Sequence, residues 1–504
     1  VSSSPHRTRR AAVAAALAAA IAGASLTAAP AAHAQPMAVP QSLSLSESAA
    51  DFSGANAFYM PPEQIPSTPG SVIRSEPMQL AITLPNTGAP WPGKAKRFMY
   101  TSTTQHGDPV AVTGMEFEPI AEWKGEGPRP TVVMGSGTIG QGDQCAPSRL
   151  APTMLGLDPA QPSIGLNYEL LFANTLLADG VRVVMSDYIG LGTPGMHTYM
   201  NRLDQGHALL DAARAIPELT GEAKAPVAFW GYSQGGGAAA SAAELAGTYA
   251  PDVDVRGTFA GAPPANLAKV AGAVENTLIV GVLGYTINGL LERYPEHRGE
   301  VDELMNPIGD AVLTTTARQC LADSAISLGP IGPTVPNPTS LLTTDGSSLT
   351  QVIETNPRLR AMVDDQYIGT MAPNAPVFVA NNVTDDVIPH DQAEELARHW
   401  SDLGADVEFR SIPLPPALPG SVLGHAIPMF EGFETAKDWI MERFGVTSPT
   451  GSAGSSGSGS GSASSPSNVS ADEVGGTGGD EVGADDAGET PSNPADGVAD
   501  RPRR

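Results

Sequence analysis

Val227-Ala228-Phe229-Trp230-Gly231-Tyr232-Ser233-Gln234-Gly235-Gly236-Gly237, followed by the alanine-rich run Ala238 to Ala246, is the stretch from which the rest of the chain can be read. Val227 to Trp230 has the short apolar character of a buried strand, and Ala238 to Ala246 reads as a helix. Between them lies Gly231-Tyr232-Ser233-Gln234-Gly235, a G-x-S-x-G pentapeptide. A serine on so sharp a strand-to-helix turn needs glycine two positions before and after it, because larger residues there collide. The turn lifts the hydroxyl clear of the sheet, at the positive end of a helix. The competing reading is an ordinary Gly/Ser turn of any α/β protein. A strand before and a helix after favour a nucleophile, and Ser233 is the candidate.

Outward from this point the chain alternates strand and helix. Arg129 to Met134 reads as a buried strand ending in Gly135-Ser136-Gly137-Thr138-Ile139-Gly140, and Val181 to Met185 as another ending in Asp187-Tyr188-Ile189-Gly190-Leu191-Gly192. Helices are expected over Asn167–Asp179 and Gln205–Ile216, and a further strand over Val255–Gly261. Upstream, Ala81–Leu84, Arg97–Ser102 and Val110–Phe117 read as an antiparallel meander. With no internal repeat, this rhythm predicts a doubly wound α/β fold over residues 67–264. It breaks over residues 265–374, a span too long for a plain connection, so a helical cap is expected there. It resumes over 375–446 with a strand at Pro376–Ala380, a helix at Gln392–Leu403, an edge strand at Val407–Ile412 and a closing helix at Phe433–Phe444. The glycine-rich loop after Met134 is not a nucleotide fingerprint, since its spacing is wrong and no acidic ribose ligand follows.

The ends read differently. Residues 1–34 combine the basic run His6-Arg7-Thr8-Arg9-Arg10, an alanine-heavy apolar stretch and Ala32-His33-Ala34 before Gln35, the pattern of a secretory signal peptide. Residues 35–66 form a polar arm, and residues 447–504 a Gly/Ser-rich acidic tail expected to be disordered. No other run approaches the roughly 20 apolar residues of a membrane-spanning helix. The sequence therefore predicts an exported protein, secreted or associated with the cell envelope. A net charge of −26, from 28 basic and 54 acidic side chains, argues against a nucleic-acid partner. Cys145 and Cys320 are the two cysteines, one possible pair in an oxidising compartment and a poor metal site without nearby histidines.

An activated serine needs a base, and the base needs a third group to fix its tautomer. In this architecture the chain order is serine, acid, histidine. Downstream of Ser233 lie His297, His390, His399 and His425. His425 follows a glycine in a loop between the last strand and the closing helix, where the base belongs. His390 sits in the acid's own loop and His399 in mid-helix, both as surface residues. Asp385, at the end of a strand in Asp385-Asp386-Val387-Ile388-Pro389, is the candidate acid, and Asp386 is its rival.

The segments Gly231–Gly237, Asp187-Tyr188-Ile189-Gly190-Leu191-Gly192-Thr193-Pro194 and Cys145-Ala146-Pro147-Ser148 resemble the secretory lipase family, which includes the fungal lipase A type and exported actinobacterial lipases. Thr384–Pro389 resembles its acid loop, and Gly424-His425 with Ala436–Phe444 its histidine segment and last helix. The resemblance runs from about Met60 to Phe444. It implies an α/β-hydrolase core with a mostly parallel sheet and a helical cap or lid. It also implies hydrolysis of lipid carboxylic esters without metal or organic cofactor, an oxyanion donor at Thr138 or neighbouring Gly137, and a Cys145–Cys320 disulfide. Gly-Ser-Gly-Thr stands here where many relatives have His-Gly-Thr, so the choice between Thr138 and Gly137 stays open. The expected enzyme is a monomeric secreted lipase or carboxylesterase acting on a lipid or ester, with the N–H groups of Thr138 and Gln234 holding the oxyanion. Two other readings use the same residues: acyl transfer to an alcohol or envelope lipid, and a non-catalytic surface binding protein on a hydrolase fold.

Overall fold

The structure, a computed structural model, describes residues 56–80, 91–158, 163–222 and 224–446. The expected signal peptide, most of the expected arm, the strand expected at Ala81–Leu84 and the expected acidic tail lie outside the described residues.

Eleven strands are described: β1 Val72–Met78, β2 Gly93–Thr103, β3 Pro109–Pro119, β4 Thr131–Gly135, β5 Leu155–Asp158, β6 Ser163–Leu166, β7 Arg182–Ser186, β8 Val227–Tyr232, β9 Val255–Gly261, β10 Val377–Asn382 and β11 Val407–Ile412. Nine form one sheet in the order β1-β2-β3-β7-β4-β8-β9-β10-β11, and β5 pairs with β6 in a separate hairpin. β1, β2 and β3 are antiparallel to their neighbours. From β7 to β11 every pairing is parallel. Every residue of β4, β7, β8 and β10 is buried, which explains their near-continuous apolar sequences: both faces of a parallel sheet are covered.

The covering follows the strand period of two. Val132, Met134, Ala228 and Trp230 face a layer containing Phe172, Phe433 and Trp439. Val133, Val184 and Phe229 face Leu209, Ala238 and Ala242 of the helices Arg202–Thr220 and Gln234–Tyr249. Alanines on the second helix let it lie close behind Ser233. Between β9 and β10 the chain forms short helices, among them Val282–Arg293 and Leu321–Ser327, with no named strand among the described residues. These helices have their own apolar cluster, and Tyr199, Tyr232 and Ile388 join it from the sheet side.

Cys145 and Cys320 are joined by a disulfide, with a Cα–Cα distance of 5.5 Å. Around it, the Leu321 N–H donates to Ile139 at 2.7 Å and the Gln141 N–H to Gln319 at 2.9 Å. The loop after β4 is thus stitched, covalently and through its backbone, to the helical segment.

Three features differ from the sequence reading. β1 and the β5–β6 hairpin were not among the expected strands. The helix expected at Gln205–Ile216 starts at Arg202 and passes through Pro217, its end set by Gly221 at φ 75°; a proline costs one donor but does not stop the chain from turning. His425, expected in a loop, lies in the first turn of the helix Leu423–Glu431.

Candidate active site

Ser233 stands at the C-terminal end of β8 with φ 60° and ψ −123°, directly before the helix Gln234–Tyr249. A Cβ on Gly231 would run into the Gly235 carbonyl, and one on Gly235 into the Gly135 carbonyl. Both glycines of the pentapeptide are therefore required by close backbone approach. The Ser233 N–H donates to Gly261 at 2.9 Å, and its carbonyl accepts from the Gly237 N–H at 3.0 Å.

Two strands along, the loop after β10 carries Asp385. Its side chain is fully buried, and the Nδ1 of His425 lies 2.9 Å from Oδ2 and 3.1 Å from Oδ1. The N–H groups of Val387 and Ile388 also donate to Oδ1, at 2.9 and 2.8 Å. A carboxylate held this way keeps the proton of His425 on Nδ1 and leaves Nε2 as the basic nitrogen. The Tyr232 hydroxyl donates to the His425 carbonyl at 2.8 Å, so the residue before Ser233 joins the serine turn to the histidine turn. The other histidines have different partners: His297 meets Glu300, His390 meets Ser411 and His399 meets Tyr367.

Asp386 does not touch the imidazole. Its Oδ2 accepts the Val422 N–H at 2.8 Å, and Val422 has φ 67°, in the left-handed region that a β-branched residue avoids. Asn382 donates to the Gly424 carbonyl at 2.7 Å. A Cβ on Gly424 would lie 2.5 Å from the Thr384 carbonyl oxygen, so glycine precedes the histidine because the acid loop is pressed against it. Burial pushes the Asp386 carboxyl above its ordinary value.

On the other side of Ser233, the loop after β4 presents Gly137 and Thr138. The Gly137 N–H donates to Oε1 of Glu169 at 2.8 Å, so it is already engaged. Among the described residues no backbone carbonyl accepts the Thr138 N–H. The Thr138 hydroxyl bonds the Tyr199 hydroxyl at 2.7 Å. Glu169 is fully buried and, with burial as the cause, its carboxyl is pushed up to about 7. Gln234 places its side-chain nitrogen 3.0 Å from Nε2 of His197. Glu169, His197, Tyr199 and the grip of Asp386 were not found from sequence. His197 and Tyr199 follow closely on the Asp187–Pro194 segment, and a longer reading of that segment would have met them.

Residues 159–452 match the family model described as secretory lipase. The chain belongs to the secretory lipase family. Among relatives of this family, a secreted triacylglycerol lipase of Malassezia globosa is 29% identical over 277 residues, 53% of this chain and 54% of that protein. The match thus spans about half of that relative's length. A protein of Mycobacterium tuberculosis named as a probable inactive lipase is 27% identical over 364 residues, covering 70% of this chain and 75% of that one. In structure the chain is similar to Candida antarctica lipase A in its closed state, with a TM-score of 0.63, 20% identity and coverage of 78% of this chain and 87% of that one. It is also similar to the rice cell wall degrading esterase LipA of Xanthomonas oryzae, with a TM-score of 0.60, 20% identity and coverage of 75% and 99%. These two likenesses fix the fold as that of the lipase A and esterase hydrolases.

Proposed function

We propose that this secretory lipase family chain is an exported serine hydrolase of lipid carboxylic esters. The observation that carries the reading is the buried Asp385–His425 pair, tied through Tyr232 to the strained turn that bears Ser233. Ser233 Oγ attacks the ester carbonyl carbon as His425 Nε2 takes its proton. The carbonyl oxygen becomes an oxyanion held by the N–H groups of Gln234 and Thr138. Collapse breaks the ester bond, and His425 returns the proton to the departing alcohol. Water then repeats the sequence on the acyl-enzyme, releasing the acid. Asp385 orients the imidazole and stabilises the imidazolium. These steps need no metal or organic cofactor.

Two features favour Thr138 over Gly137 as the second donor: Glu169 occupies the Gly137 amide, while the Thr138 amide has no carbonyl partner among the described residues. An apolar substrate is supported by Ile308, Ile326 and Leu341, all at least half exposed on the helical segment, which we read as a cap over residues 265–374. Relatives named as secreted support export.

The same acyl-enzyme could be taken by an alcohol instead of water, and the relative named as inactive keeps a binding role in view. Turnover of a p-nitrophenyl ester, with and without added alcohol acceptors at low concentration, separates these readings. Hydrolysis predicts a burst of p-nitrophenol lost in Ser233→Ala and free acid as the dominant product. A dominant new ester would make the chain a transferase, and no Ser233-dependent release of p-nitrophenol by the folded wild type would make it a binding protein.

A further inference from the structure

Both residues read above as oxyanion donors have their side chains held by the same three-residue segment, His197-Thr198-Tyr199. The Thr138 hydroxyl bonds the Tyr199 hydroxyl at 2.7 Å, and the Gln234 amide nitrogen lies 3.0 Å from His197 Nε2. A third contact returns to the Thr138 loop: Gln141 Nε2 donates to the His197 carbonyl at 2.8 Å. Thr138 comes from the loop after β4 and Gln234 from the helix after β8. The pairing of β4 with β8 and the close approach of Gly235 to the Gly135 carbonyl set the coarse distance between them, and the His197–Tyr199 segment adds a side-chain tie to each.

His197 is chemically fitted to this role. Its Nδ1 lies 3.1 Å from the Ile189 carbonyl oxygen, which can only accept. The proton therefore sits on Nδ1, and Nε2 offers a lone pair to the N–H of Gln234. The ring stacks on Tyr188, with centroids 5.8 Å apart, and is met edge-on by Tyr199. Tyr199 in turn packs edge-on against Tyr285 of the helical segment, at 5.8 Å. His197 and Tyr199 are both almost fully buried. Burial lowers the imidazole to about 4, consistent with a ring that stays neutral and keeps its acceptor.

We infer that His197 and Tyr199 are positioning residues that fine-adjust the spacing of the two oxyanion-binding amides, acting through Gln234 and Thr138 without touching substrate. The inference rests on the proposed roles of Ser233, Thr138 and Gln234. An amide displaced by a fraction of an ångström still binds substrate but meets the oxyanion poorly, so the loss falls on turnover.

The test is steady-state kinetics on a soluble p-nitrophenyl ester, with burst amplitude counting competent sites. Tyr199→Phe keeps the ring and removes only the hydroxyl. It should lower kcat about 10-fold with KM nearly unchanged, less than the 10²–10³ expected for outright loss of a donor. His197→Ala should lower kcat further. In a Thr138→Val background, Tyr199→Phe should add no further loss, because the hydroxyl pair is already broken. Wild-type kcat in Tyr199→Phe, a change confined to KM, or full additivity with Thr138→Val would overturn the inference. If His197→Ala does not fold, the Tyr199 and Thr138 variants still decide. Failure of the proposed function looks different: the wild-type protein itself would then show no Ser233-dependent turnover.

Discussion

Two turns on opposite sides of the site hold a residue other than glycine at positive φ, and they are stabilised in contrasting ways. Ser233, at φ 60°, is forced into place by its own neighbours: a buried strand before it, a helix after it and glycines at 231 and 235 that let backbones touch. Val422, at φ 67°, has no such local cause. A β-branched residue there carries a cost of about 1–2 kcal/mol, and contacts from far along the chain hold it. Asp386 grips its N–H from 36 residues away and Asn382 grips the Gly424 carbonyl from 42. Tyr232 reaches the His425 carbonyl from 193. The Ser233 turn is shaped chiefly by residues near it in sequence, whereas the His425 turn is a tertiary one.

The largest effect is expected at the acid loop, where two adjacent aspartates have separate tasks. Asp385→Asn leaves the shape intact but spoils the tautomer of His425, and should lower kcat on the order of 10⁴-fold. Asp386→Asn keeps an oxygen for the Val422 N–H and should cost far less. Kinetics of the two variants side by side check this, and a reversed order would exchange the roles of the two residues.

A smaller effect separates the buried carboxylates that serve each side. Glu169 grips Gly137 beside the Ser233 turn as Asp386 grips Val422, and each has one buried oxygen without a hydrogen-bond partner among the described residues. Glu169 binds its proton more tightly folded than unfolded, its carboxyl being raised from 4.5 to about 7. Its contribution therefore favours the fold below pH 4.5 and is lost as pH rises from there through 7. By linkage the change amounts to about 3 kcal/mol. Glu169→Gln should remove that slope from the pH dependence of denaturant unfolding. An unchanged slope between pH 5 and 8 would mean that Glu169 ionises normally.

The smallest effect addresses Val422 directly. Asp386→Ala should lower kcat roughly 10-fold, because the turn loses its grip. Val422→Gly, which removes the cost of positive φ, should restore most of that loss in the double variant. If glycine does not rescue, Asp386 matters for some reason other than the turn.

The same contrast explains what could be read from the sequence. The G-x-S-x-G turn and the parallel strands were legible because each rests on residues close in sequence or on strand periodicity. Buried strands such as Thr131–Gly135 and Arg182–Ser186 identify themselves by unbroken apolar runs. The choice between Asp385 and Asp386 was not fixed by pattern, since only the fold shows which carboxylate meets the imidazole. Glu169 left no signal, and His197 and Tyr199 only their nearness to the Asp187–Pro194 segment, because a buried polar side chain is recognised by its partner, and partners such as Gly137, Gln234 and Thr138 lie in other segments. His425 was placed in a loop because the turn that starts its helix is maintained from Asp386 and Asn382.

The proposed function stands or falls on whether Ser233, activated by His425 and Asp385, is a working nucleophile. A fluorophosphonate probe reacts only with a serine so activated, and peptide mass analysis locates the adduct. One adduct per chain is expected, on Ser233, absent from Ser233→Ala and strongly slowed in His425→Ala. A folded wild-type protein that stays unlabelled, or one labelled on another residue, would contradict it.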